Sequence, residues 1–367
     1  MITLALWIQV IPALSEEIIE KATLIPIWLI APLVYLAFYL YLYLAIAVHE
    51  LGHLLFARFC GFELQTFAIN RWVLTRKDRW RIRRVRKPFA GGFVASVPKS
   101  LKHASDRALM TKIAGGPIAS FMMFLSGAVL LQFPAFVSRH LIVWSYVALS
   151  GVSLYMAIVN TLPFNLGYIQ TDGKRLLDVY KNNQQGQRFS AFYGIDASLR
   201  QGIRPRDLNP AFIESILAIT DQSSDHVVGL MVAYAKALDK GNLEQASQYL
   251  DQALNLEMSL PEVYRGLLFL EGAYFEAYVR QHPEIARQWF DKINEIALIP
   301  RSALLRAEAA VLLAEGHLDH ARMKVLQGLE NTKRDRFMKG DAVAEEEMLQ
   351  NLLDTIDHEG MESGRRF

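Results

Sequence analysis

The stretch VHELGH, Val48–His53, decides both the fold and the chemistry expected of this chain. His49 and His53 are four residues apart, so on a helix they lie on one face and both imidazoles can reach one metal ion. Zinc suits such a site because it accepts imidazole nitrogens, and a catalytic zinc site keeps one position open for water. Glu50 is then placed to take a proton from that water. The alternative is a pair of hydrogen-bonded core histidines.

The motif lies within a long apolar run. Between residues 25 and 59 the only charged or strongly polar side chains are those of His49, Glu50, His53 and Arg58. An apolar run of more than about 20 residues is long enough to span a bilayer as a helix. Ionisable side chains inside such a helix are costly and by default mark a functional site. We therefore predict a metal centre within a membrane, on a first span over about residues 24–59.

The composition indicates two unlike halves. The chain has 367 residues, of which 52% are hydrophobic, and a mean hydropathy of +0.16. These values are too apolar for a typical soluble protein and too polar for a transporter built only of helices. The single cysteine, Cys60, excludes disulfides within the chain and argues against a thiolate zinc site. Residues 1–14 are apolar but lack the basic flank of a signal peptide, so we interpret them as an interfacial or short leading segment.

A strongly basic segment follows the first span. A basic loop is predicted over about 62–97; within it residues 62–87 show aromatic and branched side chains in short alternation, and a turn at Lys77-Asp78 would fold them into a β-hairpin. Residues 71–87 contain nine lysines and arginines. Nucleic-acid binding would fit that charge, but a basic loop beside a spanning helix more simply obeys the positive-inside rule. This rule places the loop in the cytoplasm and the N-terminus outside.

Two further spans are predicted after the basic segment, over about residues 111–133 and 141–162. Small residues at Gly115-Gly116 would let the second span pack closely against a neighbour. About 20 residues before the second span, Gly91-Gly92 interrupt an apolar run. Paired glycines permit a bend or a close approach of the backbone, and an ordinary turn is the alternative.

A zinc site with two histidines needs a third protein ligand, and a carboxylate is acceptable. Asp172 follows the third span, so it lies on the same side of the membrane as His49 and His53. An Asp-Gly pair is usually a turn, but here it supplies the carboxylate that the topology requires. Asp178 is the second candidate.

Taken together, these residues resemble the site-2 protease family of intramembrane zinc metalloproteases. The resemblance covers roughly residues 24–177 and rests on the HExxH motif, the glycine-bearing loop, Gly116-Pro117 and the Asn-x-x-Pro…Asp-Gly pattern that closes the third span. The connection within that last pattern is longer than the family's commoner spacing, although longer variants occur. This departure bears on the identity of the third ligand.

The resemblance implies a role for each site residue. His49, His53 and Asp172 would hold zinc, and Glu50 would be the catalytic base. Two further features would handle the substrate. Gly91 and Gly92 would belong to a membrane-dipping strand that contacts it, and Asn160 would help hold the unwound substrate near the metal.

Beyond residue 178 the composition becomes that of a soluble protein. We expect a linker and connecting helices over 181–227 and a cytoplasmic domain over 228–367. Three similar turn-to-helix junctions, at 241–246, 282–286 and 316–321, recur with a period of roughly 35 to 40 residues and resemble degenerate tetratricopeptide repeats. A plain helical bundle is the alternative. Stacked repeats make a concave surface, so a cytoplasmic protein partner is expected.

The sequence thus predicts a mainly all-α protein, with a polytopic membrane core at 1–180, a small β-hairpin insertion and a soluble α-helical repeat domain. The resemblance implies a zinc endopeptidase of a prokaryotic inner or cell membrane that cleaves in or near transmembrane segments, in regulated proteolysis or peptide maturation. One rival is a prenyl-peptide-processing zinc protease with a glutamate far downstream as third ligand. The other is a non-catalytic membrane scaffold whose repeats bind a partner. No nucleic-acid partner is expected.

Overall fold

The computed structural model describes residues 27–76, 80–86, 91–133, 141–166, 169–294, 296, 298–334 and 337–364. The expectations for the segment 1–14, the turn at Lys77-Asp78 and the link 134–140 lie outside these described residues. Within them the chain is mainly helical, with long apolar helices and a small antiparallel sheet. The predicted fold class is confirmed.

Three helices of the described part are long and apolar enough to cross a membrane: α1 (Ile27–Phe59), α2 (Asp106–Leu130) and α3 (Leu141–Thr161). Helix α2 begins before the predicted start near residue 111 because Ser105 caps it, accepting a hydrogen bond from the backbone N–H of Ala108 at 3.3 Å. Asp106 in the first turn adds the negative charge that a helix N-terminus favours. Hydropathy alone could not predict this first turn, because its first residues are polar.

Helices α1 and α2 cross at a pair of glycines, as the small residues predicted. A Cβ on Gly115 would lie 2.6 Å from the carbonyl oxygen of Gly52, so the backbones nearly touch there. Close approach of this kind stabilises helix pairs in membranes, where lipid tails remove most of the hydrophobic drive between helices. Since Gly52 precedes His53, the crossing brings α2 against the histidine face of α1.

A four-stranded antiparallel sheet follows α1, with strands β1 (Phe62–Ile69), β2 (Trp72–Arg76), β3 (Trp80–Arg84) and β4 (Gly92–Pro98) in the order β3-β2-β1-β4. The predicted hairpin is the β2–β3 pair, whose register runs from Trp72↔Arg84 to Arg76↔Trp80. Strand β4 returns along β1, with Ile69 opposite Gly92. Local patterning indicates strands but not their distant partners, so the sheet is larger than the predicted hairpin.

The two faces of the sheet are unlike because successive side chains point to opposite faces. One face is buried against the C-terminal domain and contributes Ala68, Val73 and Val85 to a small apolar cluster. The other face carries the exposed side chains of Trp72, Trp80 and Ile82. The sheet therefore lies between the C-terminal domain and the membrane-spanning core.

After α3, two short strands (Asn165–Leu166 and Ile169–Gln170) lead into α4 (Asp172–Tyr180), α5 (Gln184–Gln201) and α6 (Pro210–Leu217). The polar run at 182–186, interpreted from sequence as a linker, is a tight connection here. Asn183 caps α5 by accepting a hydrogen bond from the N–H of Gly186 at 2.9 Å. Phe189 and Tyr193 of α5 pack against apolar residues of α2 and α4. The division of the chain into domains stays a prediction.

The C-terminal domain is built from seven helices within the described residues: α7 (Ser224–Asp239), α8 (Leu243–Asn255), α9 (Glu262–Tyr274), α10 (Pro283–Asp291), α11 (Arg301–Ala314), α12 (Leu318–Thr332) and α13 (Lys339–Gly364). The first six form three successive pairs, and α13 packs on α12. A π-helical segment, Phe275–Val279, extends α9.

The junctions recognised in sequence are the turns inside these pairs. Each turn has one residue in the left-handed region, Gly241 at φ 76°, Gln281 at φ 56° and Gly316 at φ 82°. At the same offset in each following helix stands a fully buried alanine, and these are Ala246, Ala286 and Ala321. A small residue at that position lets the paired helices approach. The name tetratricopeptide-like stays a prediction.

Candidate metal centre and active site

Three side chains from α1 and α4 converge, those of His49, His53 and Asp172, and their ligand atoms all lie within 4.8 Å of one another. The Nε2 atoms of His49 and His53 are 3.0 and 3.2 Å from Oδ2 of Asp172. Two ligands of one tetrahedral zinc are about 3.3 Å apart, because each zinc–ligand bond is about 2.0 to 2.1 Å long. The observed separations therefore fit a shared zinc ion.

Helix spacing and a helix cap bring these groups together. On α1 the rings of His49 and His53 are one turn apart, with centroids separated by 4.8 Å. Thr171 caps α4 by accepting from the N–H of Lys174 at 3.3 Å, and its hydroxyl donates to the carbonyl of Leu162 at 2.6 Å. The first turn of α4 is thus held at the end of α3. The Asp-Gly pair begins a helix here instead of forming a free turn.

Asp178, the second candidate for the third ligand, lies elsewhere. Its carboxylate accepts hydrogen bonds from Nζ of Lys174 at 2.5 Å and from Nδ2 of Asn183 at 2.9 Å. These contacts hold the connection between α4 and α5. The structure therefore brings Asp172, and not Asp178, to the two histidines, and the role of Asp172 as a ligand stays a prediction.

Helix α2 supplies an oxygen to the inner nitrogen of each imidazole. Nδ1 of His53 donates to the backbone carbonyl of Lys112 at 3.0 Å, and Nδ1 of His49 lies 3.1 Å from Oγ of Ser120. A proton on Nδ1 leaves the Nε2 lone pair for a metal, and such outer partners fix the ring orientation. Sequence reasoning missed Ser120. The sequence offered only the signal of a hydroxyl within an apolar span, and the structure shows that this hydroxyl is fully buried.

The backbone of α2 also leaves room for a metal at Gly116. A Cβ there would lie 2.7 Å from Nε2 of His49 and 2.6 Å from Cε1 of His53. That position is in the space that both imidazoles face, so a methyl group would compete with an ion bound by both rings. Two imidazoles, one carboxylate and this free space together fit zinc.

Strand β4 lies directly against the carboxylate of Glu50. A Cβ on Gly92 would be 2.6 Å from Oε1 of Glu50, so no larger residue fits there without moving that side chain. Gly91 has φ 111°, which favours glycine for its backbone conformation. Glycine is therefore favoured at position 92 by the close approach of Glu50 and at position 91 by the backbone conformation. Glu50 is 9% exposed and His49 4%, so the site is largely closed to bulk solvent.

Asn160, predicted to hold the substrate, lies in the last turn of α3 and is half-buried. Its amide nitrogen donates to the backbone carbonyl of Met156 at 3.0 Å, within the same helix. This bond directs the amide nitrogen back to α3. The substrate role of Asn160 stays a prediction.

The charge of the site suits a divalent cation. Burial by itself raises the pKa of the Asp172 carboxyl, but hydrogen bonds with His49 and His53 outweigh it and hold the pKa below its usual range. Metal ligands must be deprotonated, so a carboxylate that stays anionic is suited to a cation, and a metal ion would replace the Nε2 protons that hydrogen-bond to it.

Helix α5 anchors Lys112, whose backbone carbonyl accepts the hydrogen bond from His53. The ammonium of Lys112 donates to the hydroxyl of Tyr193 on α5 at 2.6 Å. It also lies 4.4 Å from the ring centroid of Tyr193 and 5.4 Å from that of Phe62 on β1. Aromatic faces attract cations, so this pocket stabilises the buried lysine. Helix α5 therefore supports the helix that orients the histidines.

Comparison with known protein families gives one match. The family model described as Peptidase family M50 matches residues 37–256, which run from α1 to the first residue after α8. The matched range includes every residue predicted to belong to the site. Comparison with curated proteins and with solved structures found no match.

Proposed function

The chain belongs to peptidase family M50, the site-2 protease family, and we propose that it is a zinc endopeptidase acting on other membrane proteins. Its family makes it a metallopeptidase, and three long apolar helices among the described residues make it a membrane protein. The proposed reaction is hydrolysis of a peptide bond in or near a transmembrane segment. The observation that carries the proposal is the convergence of His49, His53 and Asp172 beside the buried Glu50.

In the proposed reaction His49, His53 and Asp172 hold the zinc ion and Glu50 moves the protons. When bound, zinc lowers the pKa of water towards about 7 and polarises the scissile carbonyl. The Glu50 carboxylate accepts a proton from the attacking water and passes it to the amide nitrogen that leaves. The buried position of Glu50 excludes bulk water from this transfer.

We propose that the substrate binds along β4 in extended form. In the order β3-β2-β1-β4 this strand ends the sheet among the described strands, and an extended peptide can add to such an edge. Because Gly92 lies against Glu50, a peptide paired there would pass close to the catalytic carboxylate. The substrate helix must therefore unwind before it is cut, and Asn160 would help to hold the unwound segment.

We place the sheet and the C-terminal domain together on the cytoplasmic side. Two sets of contacts support a shared side. Arg200 of α5 forms an ion pair with Glu63 of β1 and donates a hydrogen bond to the backbone carbonyl of Phe337, just before α13, at 3.0 Å. Val263 of α9 packs on the buried face of the sheet. The basic segment 71–87 favours the cytoplasm by the positive-inside rule. On this topology the helix pairs would recruit a cytoplasmic protein partner, and no nucleic acid.

The proposed function is tested by comparing the membrane proteomes of cells that carry the wild-type protein or Glu50→Gln. We expect a protein with one transmembrane segment to accumulate uncleaved in the variant cells. The same protein should be cleaved in lipid nanodiscs by the purified full-length wild type. Identical membrane proteomes would argue for the scaffold alternative, because a scaffold has no need of the Glu50 carboxylate.

A further inference from the structure

The C-terminal domain packs on the same strand that lies against Glu50. The ring of Phe93 on β4 meets the ring of Tyr264 on α9 edge to face, with centroids 6.1 Å apart and planes at 71°. Val263 and Leu298 of that domain pack beside it against the buried face of the sheet. The interface is therefore apolar and includes an edge-to-face aromatic pair, which adds an attraction beyond that of apolar burial alone.

One step along β4 connects this interface with the active site. Neighbouring residues of a strand point to opposite faces, so Gly92 meets Glu50 while Phe93 meets Tyr264. The strand is thus held between α1 on one side and α9 on the other. Backbone pairing supports it only from β1 among the described strands.

Tyr264 also lies near the helix that carries Asp172. Burial raises the pKa of the Tyr264 phenol, and the guanidinium of Arg175 opposes that rise by a smaller amount. Arg175 belongs to the first turns of α4, and its guanidinium lies 4.8 Å from the ring centroid of Phe189. Tyr264 is therefore a buried, neutral side chain that packs on the strand at Glu50 and interacts electrostatically with Arg175, on the helix that carries Asp172.

We propose that Tyr264 is a positioning residue of the peptidase, which holds β4 at Glu50 by packing on Phe93 and so makes the C-terminal domain part of the catalytic unit. The proposal rests on the proposed function, in which β4 aligns an extended substrate. A strand that is not held must be ordered by the substrate at a cost in affinity. Misplacement of the scissile bond by about 1 Å costs about 100-fold in rate.

A partner that moves α9 would consequently change how the substrate is aligned without contacting the metal. A linker over 181–227, as expected from the sequence, would not by itself couple the cytoplasmic domain to the active site in this way. The proposed role of Tyr264 predicts that a chain ending after α4 lacks the packing that holds β4. Such a chain would still contain every candidate catalytic residue.

The first test is Tyr264→Ala in the full-length protein, assayed in nanodiscs on a reporter with one transmembrane segment. We expect KM to rise about tenfold and cleavage to spread to neighbouring peptide bonds, with zinc content unchanged. Tyr264→Phe keeps the ring and should restore both. Tyr249→Ala, the same substitution on α8 in an apolar cluster that α7, α8 and α9 share, should stay within about twofold of wild type. A wild-type KM and a single wild-type cleavage position in Tyr264→Ala would overturn the proposal.

The rate of amide hydrogen exchange in β4 tests whether Tyr264 holds this strand, and the measurement needs no substrate. The backbone amides of residues 92–97 in β4 should exchange about tenfold faster in Tyr264→Ala and at the wild-type rate in Tyr249→Ala. If the wild type cleaves no transmembrane reporter while this difference is present, the proposed function fails and the contact stands. Unchanged exchange in Tyr264→Ala would refute the positioning role whatever the activity.

A variant on the strand side covers the case in which Tyr264→Ala does not fold. Phe93→Leu removes the same ring contact from β4 and should also raise KM and spread the cleavage positions. Where both single variants fold, the double variant should be no worse than Tyr264→Ala, because both changes remove one interaction. Additive losses would show that the two rings act independently and would overturn the proposal.

Discussion

Two glycine substitutions should separate metal binding from proton transfer in this site. The methyl group of Gly116→Ala would enter the space faced by both imidazoles, 2.7 Å from Nε2 of His49. The methyl group of Gly92→Ala would instead lie 2.6 Å from Oε1 of Glu50. The first change therefore acts on the proposed metal ligands, and the second acts on the proposed base.

The expected magnitudes follow from these distances. A carbon and a nitrogen in van der Waals contact need more than 3 Å, so Gly116→Ala displaces a zinc ion or shifts α2 by several tenths of an ångström. Such a shift also strains the hydrogen bond between His53 and the carbonyl of Lys112. We expect at least a 100-fold loss of zinc affinity, or about 2.7 kcal/mol. Gly92→Ala should retain zinc while kcat falls about 100-fold, because the carboxylate is displaced from the attacking water.

The assay is zinc content and chelator competition on purified full-length protein, followed by cleavage of the transmembrane reporter. Gly360→Ala is the matched control, since a Cβ at Gly360 meets nothing within 4 Å. It should leave both readings unchanged. Wild-type zinc affinity in Gly116→Ala, or wild-type kcat in Gly92→Ala, would refute the packing described around the site.

Three further outcomes are expected. Ser120→Ala should weaken zinc binding about tenfold, as measured by chelator competition, because Nδ1 of His49 loses its hydroxyl partner. Burial raises the pKa of Asp196 to about 6, against the weaker opposing effect of Lys112, so the folded state loses stability as pH rises through about 6. Asp196→Asn should therefore have a higher Tm than the wild type above that pH, and the difference should vanish as the pH falls. In a Cys60→Ser background, Arg84→Cys should not react with an impermeant external reagent on intact cells, and labelling would place the sheet outside.

The helical periodicity of the sequence was sufficient to predict that His49 and His53 lie together at the centre of the candidate site. The spacing of His49 and His53 puts them on one face by the helix repeat alone, and the cost of a carboxylate in a long apolar span is the reason to predict a functional role for Glu50. Asp172 could be predicted from topology, because the third span returns the chain to the side of the histidines. A helix cap at Thr171 then provides the local geometry.

Contacts between distant segments could not be predicted in this way. Ser120 is 71 positions from the histidine it contacts, and an isolated serine in an apolar helix carries no sign of its partner. The pairing of β1 with β4 decides that Gly92 meets Glu50, and strand pairing depends on the whole sheet. At 182–186 the polar residues were compatible with a linker or with a helix cap. Because α5 packs on α2 and α4, these residues form the helix cap at Asn183 and not a linker.

The zinc content of two matched variants tests the metal centre most directly. Asp172→Asn and Asp178→Asn make the same isosteric change on the same helix, but only Asp172 lies at the histidines. Purified wild type and Asp178→Asn should each contain about one zinc per chain, and Asp172→Asn should contain far less, because an amide is a poorer zinc ligand than a carboxylate. Full zinc retention in Asp172→Asn would contradict the proposed site.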